Sequence, residues 1–329
     1  MVAANIKSYC EISSILESKG LVEFLDFISI HYYDKRFVIL YGNCHMNVIA
    51  KYLEQQIEFS KKYFLRVFYV GTKEVPNENE LKHCDVFISQ DIRTNNELGM
   101  PDMNSLVKKT RECNVITIPN LYGYKFFWPQ VTERFDNIDN LHLGNDRIPE
   151  KDLNNLSYAA RGPVRWMIGW HDKYIERALE KGIDIDEIID NCLYKDVFQP
   201  EEIKSVFLEA INKLIEREKD CDVKISDYIL ENYRNEELFY DPAHPTNILL
   251  KEKTRRILNK LNIYDIEFDE CEMKLDSSEI FIYGCVRKAL GLNYNKRYIK
   301  HFEKRGTLWG RSISVEEYIR QYKLWYENN

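Results

Sequence analysis

Nowhere in the 329 residues do apolar side chains run unbroken for the roughly 18 positions that a membrane-crossing helix needs. The opening stretch, MVAANIKSYCEISSILESKG, is broken by charges and does not read as a secretory signal. Basic residues are outnumbered, 46 Lys and Arg against 53 Asp and Glu, for a net charge of −7. That balance opposes a nucleic-acid partner, which would need a basic face to neutralise phosphates. The eight cysteines, at positions 10, 44, 84, 113, 192, 221, 271 and 285, form no CxxC pair. Their gaps suit neither a zinc site nor a compact disulfide framework, so they read as reduced thiols in a cytoplasmic protein without a metal. Repeats, low-complexity tracts and flexible linkers are also missing. What is present is a 44% hydrophobic chain with 30% charged residues, long enough for one large domain or two ordinary ones. Its 22 Tyr and 16 Phe are spread along the sequence, as core packing requires.

The organisation alternates. A helical pattern over 7–30 is followed by the apolar run Phe37–Tyr41, then Gly42, then apolar residues at helical spacing (Val48, Ile49, Tyr52, Leu53, Ile57). Further short apolar runs lie at Phe64–Val70, Asp85–Ser89 and Asn114–Ile118, with a crossover helix expected from Met103 to Cys113. Strands separated by helices predict a doubly wound parallel sheet, which binds ligands at the carboxyl ends of its strands. These runs end in Gly42, Gly71, Gln90 and Asn120. The expected division is N-terminal helices over 1–34, an α/β core from 35–150 and 236–262, a helical subdomain at 151–235 and a C-terminal extension at 263–329. Within the subdomain, helices are expected at 172–181, 200–218 and 224–233, and the extension closes with one at 314–326. The cluster Tyr122, Tyr124, Phe126, Phe127 and Trp128 looks exposed enough to stack on sugars.

Two segments carry chemistry. Cys44 stands between a buried strand and the helix after it, where unpaired amides and the helix dipole stabilise a thiolate and could hold an oxyanion. A small buried cysteine is the plain alternative. The second segment is Asp241-Pro-Ala-His244-Pro. A carboxylate three residues before a histidine, in a loop held by prolines, can orient one ring nitrogen and leave the other to act as base. A prolyl turn with a solvated histidine is the structural alternative.

Together, Gly42-Asn43-Cys44 and Asp241-Pro242-Ala243-His244 resemble the SGNH hydrolase superfamily, with Gly71 and Gln90 or Asp91 in its intermediate blocks. Cysteine stands where that superfamily has serine, and no Gly-x-Asn-Asp occurs, which argues against ordinary esterase activity. Four segments, Tyr41–His45, Phe87–Arg93, Ile116–Tyr122 and His244-Pro-Thr246, resemble the WcbI family of capsular-polysaccharide biosynthesis proteins over roughly residues 35–262. The resemblance implies an SGNH-like, coenzyme A-binding acetyltransferase. Cys44 and His244 would be its reactive pair and Asp241 the orienter, with Gly42, Asn43, Gly71, Gln90 and Asn120 as polar groups at the mouth. His45 would contact ligand or pack. The phosphates of coenzyme A call for cations, and Arg93, Lys125, Arg161 and Arg165 are the candidates.

The expected function is therefore transfer of an acyl group from acetyl-CoA to a sugar or polysaccharide precursor, in peripheral association with membrane biosynthetic machinery. A carbohydrate acylesterase and a non-catalytic glycan- or coenzyme A-binding protein are the rival readings.

Overall fold

In the computed structural model, the described residues are 35–92, 99–121, 125–132, 170–276, 279–301 and 311–327. The helical pattern over 7–30 lies outside them. The architecture is mixed α/β around a four-stranded parallel sheet.

The strand β1 (Arg36–Gly42) is followed by helices α1 (His45–Gln55) and α2 (Ile57–Lys62), then β2 (Tyr63–Tyr69). Next come α3 (Glu78–Lys82), β3 (Val86–Gln90), α4 (Met103–Val107) and β4 (Asn114–Ile118). Beyond them lie β5 (Val131–Thr132), β6 (His171–Asp172), α5 (Lys173–Glu180), α6 (Ile185–Tyr194), α7 (Pro200–Glu218) and α8 (Ser226–Asn232). A hairpin of β7 (Phe239–Asp241) and β8 (His244–Pro245) leads into α9 (Asn247–Lys260). The chain closes with α10 (Gly284–Leu290), β9 (Tyr298–His301), β10 (Arg311–Ser314) and α11 (Val315–Glu327).

The chain divides into two compact units. The first comprises residues 1–120, 220–224 and 250–273, and the second comprises 121–219, 225–249 and 274–329.

The first unit holds the sheet, in the order β2-β1-β3-β4. β1 is buried from Phe37 to Gly42, as a strand covered on both faces must be. Phe37, Ile39 and Tyr41 share one core cluster with Phe64, Phe68 and Phe87, while Val38 and Leu40, pointing the other way, are equally inaccessible. The order places the switch in winding direction between β1 and β3, and ligands of such sheets bind outside the carboxyl ends at that point. The expected helix from Met103 to Cys113 is cut short at Val107. Asp102 caps its start by accepting from the Ser105 amide at 3.0 Å, and the chain then passes through Lys108-Lys109-Thr110 into a turn.

The second unit is mainly helical. α7 starts at a proline and buries Ile203, Phe207, Ala210, Ile211 and Leu214. Val206 and Ile215, apolar residues of the same helix, are half-buried and exposed. Residues after 274 supply Phe281, Tyr283, Val286, Ile299, Tyr318, Ile319 and Tyr322 to the same core. The aromatic run Phe126-Phe127-Trp128 is a correction to the sequence reading, because all three side chains are buried. Phe126 packs on Phe239 with ring centroids 4.9 Å apart, and the Trp128 indole donates to the Phe281 carbonyl at 3.1 Å. Buried aromatics with a satisfied N–H are core, not a sugar platform. Tyr122 and Tyr124 lie outside the described residues.

A buried polar node sits within this core. Asp172 caps α5 through the amides of Tyr174 and Ile175 and accepts from the Tyr283 hydroxyl at 2.9 Å. Burial pushes its carboxyl up to about 6. The Asp172 amide in turn donates to the Tyr322 hydroxyl, which donates to Glu176.

Candidate active site

Cys44 is the N-cap of α1, with φ −54° and ψ −23°, and makes no side-chain cap. Its neighbour Asn43 does that work, accepting from the His45 amide through Oδ1 at 3.1 Å. Asn43 and Gln90 are joined in both directions. The Asn43 amide donates to Gln90 Oε1 at 2.6 Å, and Gln90 Nε2 donates to Asn43 Oδ1 at 2.8 Å. Gln90 Nε2 also lies 3.2 Å from His45 Nδ1, which makes Nδ1 the accepting nitrogen of a fully buried ring. Asn43 Nδ2 donates to Asn120 Oδ1 at 3.1 Å. Side chains at the ends of β3 and β4 thus lock the turn after β1, at the switch point of the sheet.

This packing explains Gly42. A Cβ there would overlap the Gln90 amide and come within 2.7 Å of Met46 Cγ. Only glycine lets the glutamine reach the turn.

The first amides of α1 are already engaged. His45 is bonded to the Asn43 side chain, Met46 to the Asn43 carbonyl at 3.0 Å and Asn47 to the Cys44 carbonyl at 3.2 Å. The Cys44 thiol itself is half-exposed, whereas Cys84, Cys192, Cys221, Cys271 and Cys285 are buried. The first turn of α1 carries no acidic residue to oppose negative charge at this sulfur.

Two further contacts steady the loop after β4. The Lys253 ammonium, on α9 and fully buried, donates to the Pro119 carbonyl at 2.6 Å. Asp222 receives both the Thr117 amide and hydroxyl at 2.8 Å. Neither residue is among those the sequence singles out. Lys253 carries a signal, since it falls in the apolar stripe of α9 with Leu249, Leu250 and Ile257, where a lysine needs a buried partner.

The second chemical segment, in the other unit, is the β7–β8 hairpin. Asp241 pairs with His244 across a turn of Pro242 and Ala243. Asp241 is buried, and its Oδ1 accepts the amides of Ala243 at 2.7 Å and His244 at 2.9 Å. Its Oδ2 lies 2.7 Å from His244 Nδ1. A carboxylate at Nδ1 holds the proton there in the neutral ring and makes Nε2 the basic nitrogen. The imidazole is half-buried. Thr246 ties the hairpin down, its amide donating to Leu238 and its hydroxyl to Glu237. The rings of Phe126 and Phe127 pack against Phe239 at the start of β7.

The sequence profile of the family described as "Polysaccharide biosynthesis enzyme WcbI" matches residues 37–265. The chain belongs to the WcbI family. A solved structure of the WcbI polysaccharide biosynthesis enzyme is similar over 90% of this chain and 91% of that one, with a TM-score of 0.66 and 18% identity. That structure is described as the native protein without a disulfide bond between coenzyme A and one of its cysteines. Comparison with curated proteins finds no match.

Of the residues expected at a WcbI-family site, the structure joins Gly42, Asn43, His45, Gln90 and Asn120 in one network around Cys44, and joins Asp241 to His244. Gly71 lies in an exposed turn after β2, where the nearest atoms a Cβ would meet belong to the Tyr69 ring. Lys125 lies near enough to Glu209 to help lower that carboxyl, after Lys213. Arg93, Arg161 and Arg165 fall outside the described residues. Among the described residues, no group of three or more His, Cys, Asp or Glu side chains could hold a metal ion, and no helix is long and apolar enough to cross a membrane.

Proposed function

We propose that this chain is an acyl-CoA-dependent O-acyltransferase that modifies a hydroxyl of a capsular or other surface polysaccharide precursor. The observation that carries the reading is the locked Gly42-Asn43-Cys44 turn. A purely structural cysteine would not call for two amide side chains from separate strands, a forced glycine and a half-exposed sulfur at a helix N-terminus. Family membership supplies the polysaccharide context, and the WcbI structure described with coenzyme A supports the donor.

In this reading His244 Nε2 takes the proton of the acceptor hydroxyl as its oxygen attacks the thioester carbonyl. Asp241 holds the ring in the working tautomer and stabilises the imidazolium. As the carbon–sulfur bond breaks, His244 returns the proton to the departing coenzyme A sulfur. Cys44 either shapes the thiol end of the site or accepts the acyl group first, forming a thioester that the sugar oxygen then attacks. Asn43, Gln90 and Asn120 set the position of Cys44. Arg93, Arg161, Arg165 and Lys125 are assigned to the phosphates and the site to cytoplasmic biosynthesis, beside membrane-bound machinery.

Calorimetry with coenzyme A and with its dephospho form tests the donor assignment. Saturable binding that weakens with salt and on loss of the 3′-phosphate is expected, because exposed phosphate–cation pairs are screened. Absence of heat with both ligands refutes it. Intact mass after incubation of His244→Ala with acetyl-CoA separates the two roles of Cys44, since an acetylated Cys44 marks the covalent route.

A further inference from the structure

A pair of cysteines lies at the opposite, amino end of the same sheet. Cys84 precedes β3 and Cys113 precedes β4, so both stand at the amino ends of strands whose carboxyl ends carry Gln90 and Asn120. Their sulfurs are 3.5 Å apart. The backbones are fixed, with the Asn114 amide donating to the Asp85 carbonyl and the Asp85 amide donating to the Phe37 carbonyl, both at 2.9 Å. Cys84 is buried, its thiol also reaching the Val86 carbonyl at 3.1 Å, whereas Cys113 is half-exposed.

We propose that Cys84 and Cys113 form a reversible dithiol–disulfide site that reduces a hydroperoxide, independent of the acyl-transfer reading. A disulfide requires the sulfurs to close to about 2.05 Å, a movement of about 1.5 Å that rotation of the half-exposed Cys113 side chain can supply. Exposure assigns the order of events, because a peroxide from solvent meets the half-exposed Cys113 before the buried Cys84. The hydrogen bond shared with Cys84, then a backbone hydrogen bond at Phe87 and the Arg36 charge, lower the Cys113 thiol below its ordinary range. The same bond and burial push the Cys84 thiol up, which keeps it protonated until its turn.

The Cys113 thiolate attacks the terminal peroxide oxygen, so a sulfur–oxygen bond forms, the oxygen–oxygen bond breaks, and the alcohol or water leaves with a proton. Cys113 is then a sulfenic acid. Cys84 Sγ attacks that sulfur, the sulfur–sulfur bond forms, and the hydroxide that departs takes the Cys84 proton as water. The two thiols lose two electrons and two protons, and the peroxide is reduced to alcohol and water. A small thiol restores the pair by exchange.

The full chain treated with hydrogen peroxide and digested without reductant is the test. The proposal expects a linked peptide pair through Cys84 and Cys113, two hydrogens lighter than the reduced peptides and split by dithiothreitol. Cys113→Ser should lose the link and leave Cys84 reduced. Cys84→Ser should strand Cys113 as a sulfenic acid that dimedone traps, with melting curves confirming that both variants fold. Cys113 found as sulfinic or sulfonic acid in the wild-type chain beside a reduced Cys84 overturns the proposal. So does a digest in which both stay reduced while Cys44 oxidises.

Discussion

The Cys44 turn and the Asp241–His244 hairpin do similar work by opposite means. Both present a side chain, Cys44 or His244, that the proposed function assigns to the reaction, from a tight turn at the end of a buried strand. The hairpin is held locally, because Asp241 binds two amides and the ring within three residues of itself. The Cys44 turn is held from afar, by Gln90 and Asn120, which lie 47 and 77 residues from Asn43. A local clamp survives changes elsewhere in the fold, whereas a distant one reports on the register of every strand that contributes to it.

The largest effect should come from the hairpin's base. His244→Ala is expected to lower acetyl-CoA-dependent transfer by about 10²–10⁴-fold, the usual contribution of a positioned general base. Its melting temperature should hardly move, since the ring is half-exposed. Asp241→Asn should lose less activity and more stability, because the buried carboxylate organises the turn itself. Wild-type rates for His244→Ala would break the pairing of roles.

The second unit should also carry a pH signature. Burial raises the folded pKa of Asp172 to about 6, against 3.8 for an ordinary aspartate. The folded state therefore holds the proton more tightly, so this group's contribution is fully present below the ordinary value and is lost as pH rises through about 6. The loss should approach about 3 kcal/mol, and denaturant titrations of Asp172→Asn should show it flattened. An unchanged slope between the two forms counts against the burial argument.

A smaller effect sharpens the contrast between local and distant clamps. Gln90→Leu leaves the Asn43 amide without its acceptor and should cost about 1–3 kcal/mol by chemical denaturation. Gly42→Ala forces the Gln90 amide aside and should cost a similar amount, about 1–3 kcal/mol. Both should slow transfer more than their stability loss explains. If neither alters transfer, the network is scaffolding only.

The same contrast explains what the sequence makes legible. Short apolar runs locate the sheet closely: Asn114–Ile118 is both expected and found, and the expected Phe37–Tyr41 lies within the observed Arg36–Gly42. The hairpin pair is readable because Asp241 and His244 are neighbours in the chain. The partners of Asn43 are expected only as separate polar groups, since their meeting depends on the strand order β2-β1-β3-β4. Phe126–Trp128 misleads because hydrophobic character says nothing of which side a loop turns to the core. Helix α6 is absent from the sequence reading, although Asp184 caps it through the Asp186 amide at 2.8 Å. Lys253 is missing too, because a lysine in an apolar stripe is conspicuous only once the helix register is known.

Protection of Cys44 from alkylation tests the central claim most directly. The full chain is labelled with iodoacetamide with and without coenzyme A, and modification is followed peptide by peptide. Coenzyme A bound with its thiol end at Cys44 should slow labelling of that residue and leave the half-exposed Cys113 unaffected. Equal labelling of Cys44 with and without saturating coenzyme A would contradict the account.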